Sequence, residues 1–256
     1  MIDSDGVDGD ANMAVPVKAP SQRVLVALCT FNEVENIAAM IQGIVGVVPD
    51  ADILVVDDDS PDGTGDAVME LGLPQVALTT RRGVRGLGGA IRHAMDHAVE
   101  HRYDLFCNLD ADQSHPADVL PKLIGRLAAD PNMDVAIASR YVPGGGVEGW
   151  PLHRVWMSRT VNAIARRWVG LPVRDASGSY RCYRVATLAK IDRVRGTTEG
   201  YAFLQEILFR LHDSGATMCE IPFTFLDREL GKSKLGVHES LRSILRILRL
   251  RGGKGS

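Results

Sequence analysis

From Arg23 onward the chain repeats one alternation. Short, β-branched apolar runs end in polar residues, and each is followed by a segment whose apolar positions recur with helical period. The runs are Val24–Leu28, Ile53–Val56, Val76–Leu78, Leu105–Leu109 and Val135–Ala138; the helical segments are Glu33–Val47, Asp62–Leu71, Leu87–Val99 and Ala117–Ala128. Strand alternating with helix predicts an α/β fold, a mostly parallel sheet with helices on both faces, because parallel neighbours need a crossover between them. Ligands of such sheets sit beyond the carboxyl ends of the strands. The alternation stops after Arg140, where Gly144, Gly145, Gly146 and Gly149 mark a loop. Then come a helix predicted over Leu152–Val169, a strand over Cys219–Phe225, a polar loop over Asp227–Gly236 and a last helix over Val237–Leu250. Residues 1–22 set acids among Gly, Ala, Pro and Ser without apolar period, and predict a disordered tail. The organisation expected is thus a tail over 1–22, a single domain over 23–236, and an amphipathic helix with a flexible end over 237–256.

Composition narrows the function more than the fold. The 256 residues are 45% apolar and 24% charged, enough for a self-sufficient core, and the formal charge of −3 provides no basic field for general nucleic-acid binding. Cys29, Cys107, Cys182 and Cys219 form no C-x-x-C pair, which argues against a zinc ribbon, a thioredoxin-type site and a disulfide scaffold. No apolar run approaches the roughly 18 to 20 residues that cross a bilayer, and the N-terminal acids do not suit a secretory signal, so the expectation is a cytoplasmic protein.

The candidate chemistry lies at the strand ends. The first run closes on Thr30-Phe31-Asn32-Glu33, the second on Asp57-Asp58-Asp59-Ser60-Pro61-Asp62-Gly63-Thr64, and the fourth on Asp110-Ala111-Asp112. Residues two apart on an extended segment face the same way, so Asp110 and Asp112 can offer oxygens to one hard cation such as Mg²⁺ or Mn²⁺. Helix caps and turns also favour Asp, Ser and Asn, but turns alone do not require three consecutive aspartates. Gly86-Leu87-Gly88-Gly89-Ala90 lacks the third glycine of a dinucleotide fingerprint and follows the third run rather than the first; a tight backbone approach at a helix start is the expected role. His93, His97 and His101 share a helix face that is expected to be solvated. Arg140 follows an apolar run directly, Arg154 and Ser158 stand at i and i+4 of one helix, and Arg228, Lys232 and Lys234 share a loop. Arg and Ser are common phosphate donors, though each of these is also an ordinary surface residue when taken alone.

Taken in order, these motifs resemble the dolichol-phosphate (polyprenol-phosphate) mannosyltransferases, inverting enzymes of glycosyltransferase family 2 with the GT-A fold. The first-half motifs are shared with other members of the family. The second half resembles the lipid-phosphate mannosyl enzymes in particular, through Ser139-Arg140-Tyr141, Gly149-Trp150, Ser177-Gly178-Ser179-Tyr180-Arg181, Gly200-Tyr201, Glu206, Asp227-Arg228 and Gly231-Lys232-Ser233-Lys234-Leu235-Gly236. Cys29 and Phe31 stand where the family usually has Pro and Tyr. The resemblance implies GDP-mannose as donor, a polyprenyl or dolichyl phosphate as acceptor, and Mg²⁺ or Mn²⁺ held by Asp110 and Asp112, with Ser114 as a weaker third ligand. It implies a nucleotide side made of Thr30, Asn32, Glu33, Asp57, Asp58, Asp110 and Lys234, and a reacting side made of Asp112, Arg140, Arg154, Ser158 and Arg228. Such an acceptor implies peripheral contact with the cytoplasmic membrane face. Arg242, Arg246 and Arg249 beside the apolar stripe of the last helix suit that contact, as would packing on the domain or on a membrane-anchored partner. Two alternatives stay open: a family-2 transferase with another sugar nucleotide, such as UDP-glucose, and a non-catalytic nucleotide-binding module.

Overall fold

The computed structural model describes residues 22–191, 200 and 202–227. The tail predicted over 1–22, but for its last residue, and the last helix predicted over 237–250 fall outside them. Elements follow the expected alternation: β1 (Val24–Thr30), α1 (Ile37–Val47), β2 (Asp52–Asp57), α2 (Thr64–Glu70), β3 (Val76–Thr80), α3 (Leu87–Glu100), β4 (Leu105–Asp110), α4 (Leu120–Ala129) and β5 (Val135–Ser139). The second half adds β6 (Gly146–Glu148), α5 (Leu152–Ile164), β7 (Arg181–Arg184), α6 (Val185–Leu188), α7 (Ala202–Asp213), β8 (Met218–Pro222) and β9 (Thr224–Leu226).

Seven strands form one sheet in the order β3-β2-β1-β4-β7-β5-β8, parallel except for β7, which runs antiparallel to both neighbours. Successive strand residues serve opposite faces, which is why the runs read as continuously apolar. Leu25, Ala27, Leu54 and Val56 pack against Ile91 and Met95 of α3 and Phe203 and Ile207 of α7. On the other face Val26, Leu28, Ile53 and Val55 meet Ile37 and Ile41 of α1 and Leu120 and Leu123 of α4. Each fully buried Leu, Ile or Val stabilises the fold by about 1.5–3 kcal/mol, so the two layers fix the sheet that carries the site. His93 on α3 and His101 just past its end are exposed, and His97 stacks on His101 at 3.9 Å.

Three expectations change. The helix predicted from Glu33 begins at Ile37, because Glu33 to Asn36 form a turn whose Glu33 carbonyl accepts from the N–H groups of Asn36 and Ile37. The segment Cys219–Phe225 is not one strand: β8 pairs with β5 up to Pro222, then β9 leaves to pair with β6 in a separate two-stranded sheet. Pro222 has no N–H to continue a ladder, and Phe223 donates to the Ser139 carbonyl at the crossing. The helix predicted over 152–169 is α-helical to Ile164, then widens into a π turn that ends at Gly170 with φ 81°.

Candidate active site

Strand register brings the polar ends together. Thr30 pairs with Asp57 and Cys29 with Asp110, so the ends of β1, β2 and β4 form one edge. Asn32, Asp59 and Gln113 carry positive φ of 57°, 59° and 62° in the loops that leave these three strands. Asn and Asp tolerate that region; Gln113 pays strain to turn the backbone between Asp112 and Ser114, and such strain clusters at functional loops.

The aspartates after β2 divide their work. Asp57 is buried and accepts from the Thr30 hydroxyl at 2.8 Å, the Ser60 N–H at 2.9 Å and the Ser60 hydroxyl at 2.5 Å, closing the turn. The Ser60 hydroxyl oxygen also accepts from the Asn32 N–H at 2.9 Å. Asp58 accepts from Arg81 Nε at 2.7 Å and from the Gly86 N–H at 2.8 Å. Gly86, with φ 141°, adopts a conformation unsuited to a side chain and starts α3 at this edge. Glu33 is tied to Thr64 through its N–H at 3.0 Å and accepts from Asn36 Nδ2 at 3.0 Å. Arg85 lies 4.3 Å over the Phe31 ring.

After β4 the chain turns sharply. Asp112 is buried, and its Oδ1 accepts from the Ser114 N–H at 3.0 Å and the Ser114 hydroxyl at 2.6 Å. Asp110 Oδ1 accepts from the Ser179 hydroxyl at 2.7 Å, and the Asp110 N–H donates to His115 Nδ1 at 2.9 Å. His115 is stacked on Tyr180 and edged by Phe223 and Phe225. Burial pushes its pKa down, and the charges of Asp110, Asp112, Arg140 and Asp175 act on it more weakly. The ring is therefore neutral at pH 7, with Nδ1 as acceptor and the proton on Nε2. Nothing in the spacing Asp110-Ala111-Asp112-Gln113-Ser114-His115 singles out this histidine, because its partner is a backbone N–H. His115→Phe keeps the stacking and strands that N–H; we expect a loss of about 1–3 kcal/mol in urea unfolding, accompanied by reduced turnover as Asp110 loses its anchor.

Arg140 is buried and committed. Its N–H, Nε and Nη2 donate to Asp175 at 3.1, 2.7 and 2.7 Å, and Nη2 also donates to Ser177 Oγ at 2.9 Å. Nothing local in the sequence marks Asp175, since its partner lies 35 residues away. Arg154 is more open: it reaches Asp227 at 3.2 Å and lies 3.9 Å over the Trp150 ring. Gly149, with φ 82°, turns the backbone against Asp227, where a Cβ would lie 2.7 Å from the Asp227 Cβ. Ser158 Oγ accepts from the Tyr141 hydroxyl at 2.7 Å. Arg228, Lys232 and Lys234 lie outside the described residues.

Two cavities meet at Asp112. One, about 200 Å³, is lined by Thr30, Glu33, Asp58, Gly86, Asp110 and Asp112 among others. The second, about 360 Å³, is bordered by Asn36, Asp112, Gln113, Glu148, Gly149 and Asp227. Cys29 lines the first, but burial, reinforced by Asp110 and Asp58, raises its thiol pKa far above the usual range, so it is no nucleophile. The first cavity joins two carboxylates to a helix N-terminus, an arrangement that can take a metal-bound diphosphate.

Comparison with known proteins gives the family and the fold. Glycosyl transferase family 2 matches residues 25–192. The polyprenol monophosphomannose synthase of Mycolicibacterium smegmatis is 39% identical over 219 residues, covering 84% of this chain and 82% of that protein. The undecaprenyl-phosphate mannosyltransferase of Micrococcus luteus is 39% identical over 83% of this chain and 87% of its own length. The dolichol-phosphate mannosyltransferase of Pyrococcus furiosus is 34% identical over 90% and 65% respectively. In fold, the chain is similar to glucosyl-3-phosphoglycerate synthase from Mycobacterium tuberculosis, solved with Mn²⁺, UDP and glucosyl-3-phosphoglycerate; the TM-score is 0.69 at 17% identity, covering 91% of this chain and 81% of that one. The chain is a glycosyltransferase and belongs, within glycosyltransferase family 2, to the polyprenol-phosphate mannosyltransferases.

Proposed function

We propose that the protein transfers mannose from GDP-mannose to a polyprenyl or dolichyl phosphate, with inversion at the anomeric carbon. The observation that carries this reading is the cavity at the start of α3, where Asp110 and Asp112 stand beside Thr30, Glu33 and Asp58 and can meet a metal-bound sugar nucleotide. The names of the M. smegmatis and M. luteus relatives support the acceptor class.

On the donor side, Thr30, Asn32 and Asp57 shape the rim, while Glu33 and Asp58 line the pocket for base or ribose. Asp110 and Asp112 give one wall two hard oxygen donors, which fits Mg²⁺ or Mn²⁺. Among the described residues no third His, Cys, Asp or Glu joins them, so phosphate oxygens and water would complete the shell, as these ions commonly require. Such an ion, when bound, offsets the charge of the departing diphosphate. Ser114 holds Asp112 through two hydrogen bonds to Oδ1.

The acceptor needs positioning rather than activation. A phosphate monoester has its second pKa near 6, so it is largely dianionic at pH 7 and attacks without a general base. One of its oxygens bonds to the anomeric carbon as the bond from that carbon to GDP breaks on the opposite side. Arg154 and Ser158, with Arg228 and Lys234, hold the phosphate in this reading. Arg140 adds a permanent positive charge: Asp175 beside it outweighs burial and holds its pKa above the usual range. No helix among the described residues is long and apolar enough to cross a membrane, and we assign the protein a peripheral position at the cytoplasmic face, reached directly or through a membrane-anchored partner.

The test is transfer of radiolabel from GDP-mannose to short polyprenyl phosphates, read after organic extraction, with UDP-glucose in parallel. We expect label in the organic phase from GDP-mannose only, and only with Mg²⁺ or Mn²⁺. Transfer from UDP-glucose alone would replace the donor, a reading favoured by the UDP bound to the M. tuberculosis neighbour.

A further inference from the structure

Arg140 and Arg154 are paired in opposite ways. Arg140 donates at several nitrogens to the fully buried Asp175, so parting that pair would leave a buried charge uncompensated. Arg154 meets Asp227 through one contact at 3.2 Å, with the Arg154 side chain 18% and the Asp227 side chain 34% exposed; a half-open, single-point pair of this kind contributes little to stability. Each partner is also held without the other. The Arg154 guanidinium lies 3.9 Å over the Trp150 ring, which Phe225 braces edge-on at 5.0 Å. Asp227 is fixed by its main chain: its N–H donates to the Glu148 carbonyl at 3.1 Å, and the preceding Leu226 N–H donates to the Ser114 carbonyl at 3.3 Å. Gly149 leaves Asp227 the space that a Cβ would take. The pair can therefore part by side-chain rotation, with neither backbone moving.

Asp227 also borders the cavity of about 360 Å³ next to Asp112, whose described walls carry Asp112, Glu148 and Asp227 and no cation. Three carboxylates alone repel a phosphate; it needs the charge of Arg154, and Asp227 stands on that charge. We propose that Asp227 is a stand-in for the acceptor phosphate: its carboxylate engages Arg154 until a phosphate oxygen of the acceptor replaces it, and then rotates off the guanidinium. The proposal rests on the reading that Arg154 holds the acceptor phosphate. A guanidinium takes carboxylate and phosphate oxygens with the same donor geometry, so the exchange keeps its hydrogen bonding satisfied. It also makes Asp227 a specificity-determining residue. Displacing the carboxylate opposes every incoming anion by the same amount, and an acceptor carried on a long prenyl chain offsets this through contacts that inorganic phosphate cannot make.

The test is transfer by the full chain from GDP-mannose, with Mn²⁺, to a detergent-dispersed short polyprenyl phosphate, with inorganic phosphate as competitor. Asp227→Asn keeps the shape of the side chain and removes its charge. The KM for polyprenyl phosphate and the inhibition constant of inorganic phosphate should both fall about fivefold, while the KM for GDP-mannose and the thermal midpoint stay at the parent's values. Asp227→Ala, which also removes the hydrogen bond to Arg154, should lower the same two constants, and Arg154→Ala should raise both. If the KM for polyprenyl phosphate rises or holds constant in both Asp227 variants while Arg154→Ala raises it, the stand-in role is overturned. A fall in that KM without a matching gain in inhibition by inorganic phosphate would also overturn it, because the position left by the carboxylate would then not take a phosphate oxygen. If Arg154→Ala leaves the KM for polyprenyl phosphate unchanged, the acceptor reading of Arg154 fails first, and the proposal falls with it.

Discussion

Asp112→Asn is expected to lower turnover roughly 100- to 1000-fold while leaving the thermal midpoint nearly unchanged. The amide keeps the shape of the carboxylate, and its oxygen can still accept both hydrogen bonds from Ser114, so the turn after β4 survives. What disappears is one negative charge from the wall that the two cavities share. With that charge gone, a divalent ion keeps only Asp110 as an anionic ligand, and the leaving diphosphate loses much of its stabilisation. The measurement is mannosyl transfer across a Mn²⁺ titration at saturating acceptor, beside GDP binding and a thermal melt. A variant that regains full turnover with added Mg²⁺ would defeat the metal assignment, and one that unfolds would place Asp112 in the scaffold instead.

The first half of this molecule was legible because its constraints are local. A parallel strand buried on both faces must be apolar throughout, and the polar break at Thr30, Asp57 or Asp110 marks its carboxyl end. The registers were not legible, because a run that is apolar on both faces shows no alternation; the pairing of Thr30 with Asp57 and of Cys29 with Asp110 is what aligns the polar ends at one edge. The second half depends on distant partners. β7 is only Arg181–Arg184, inserted antiparallel between β4 and β5, and no local period announces a four-residue strand. The break at Phe223 reflects a change of sheet rather than of propensity. Arg140 was legible as a cation next to a strand, but its bidentate contact with Asp175 was not, because ion pairing depends on which loop folds back over the edge. His115 was hidden for a related reason: its role is to accept one main-chain proton.

Asp175→Ala is expected to cost about 3–5 kcal/mol, since it leaves the Arg140 guanidinium buried without its counter-charge. Asp175 is fully buried and accepts from Arg140 at three nitrogens and from the Gly178 N–H at 3.1 Å, so the loss also strands main-chain donors. The dependence on pH distinguishes this contribution from simple packing. Burial alone would raise the carboxyl pKa, but the Arg140 charge and hydrogen bonds outweigh it and hold the group below the usual carboxylate range. A folded-state pKa below the unfolded value of about 3.9 means that the stabilisation is fully present above that pH. It is lost as pH falls through the folded-state pKa. Urea unfolding of the parent and of Asp175→Asn should therefore differ most at pH 7, and the two stabilities should converge under strong acid. A gap that stays constant from neutral to acidic pH would mean that Asp175 contributes through shape and hydrogen bonding, and that the charge pair with Arg140 adds nothing.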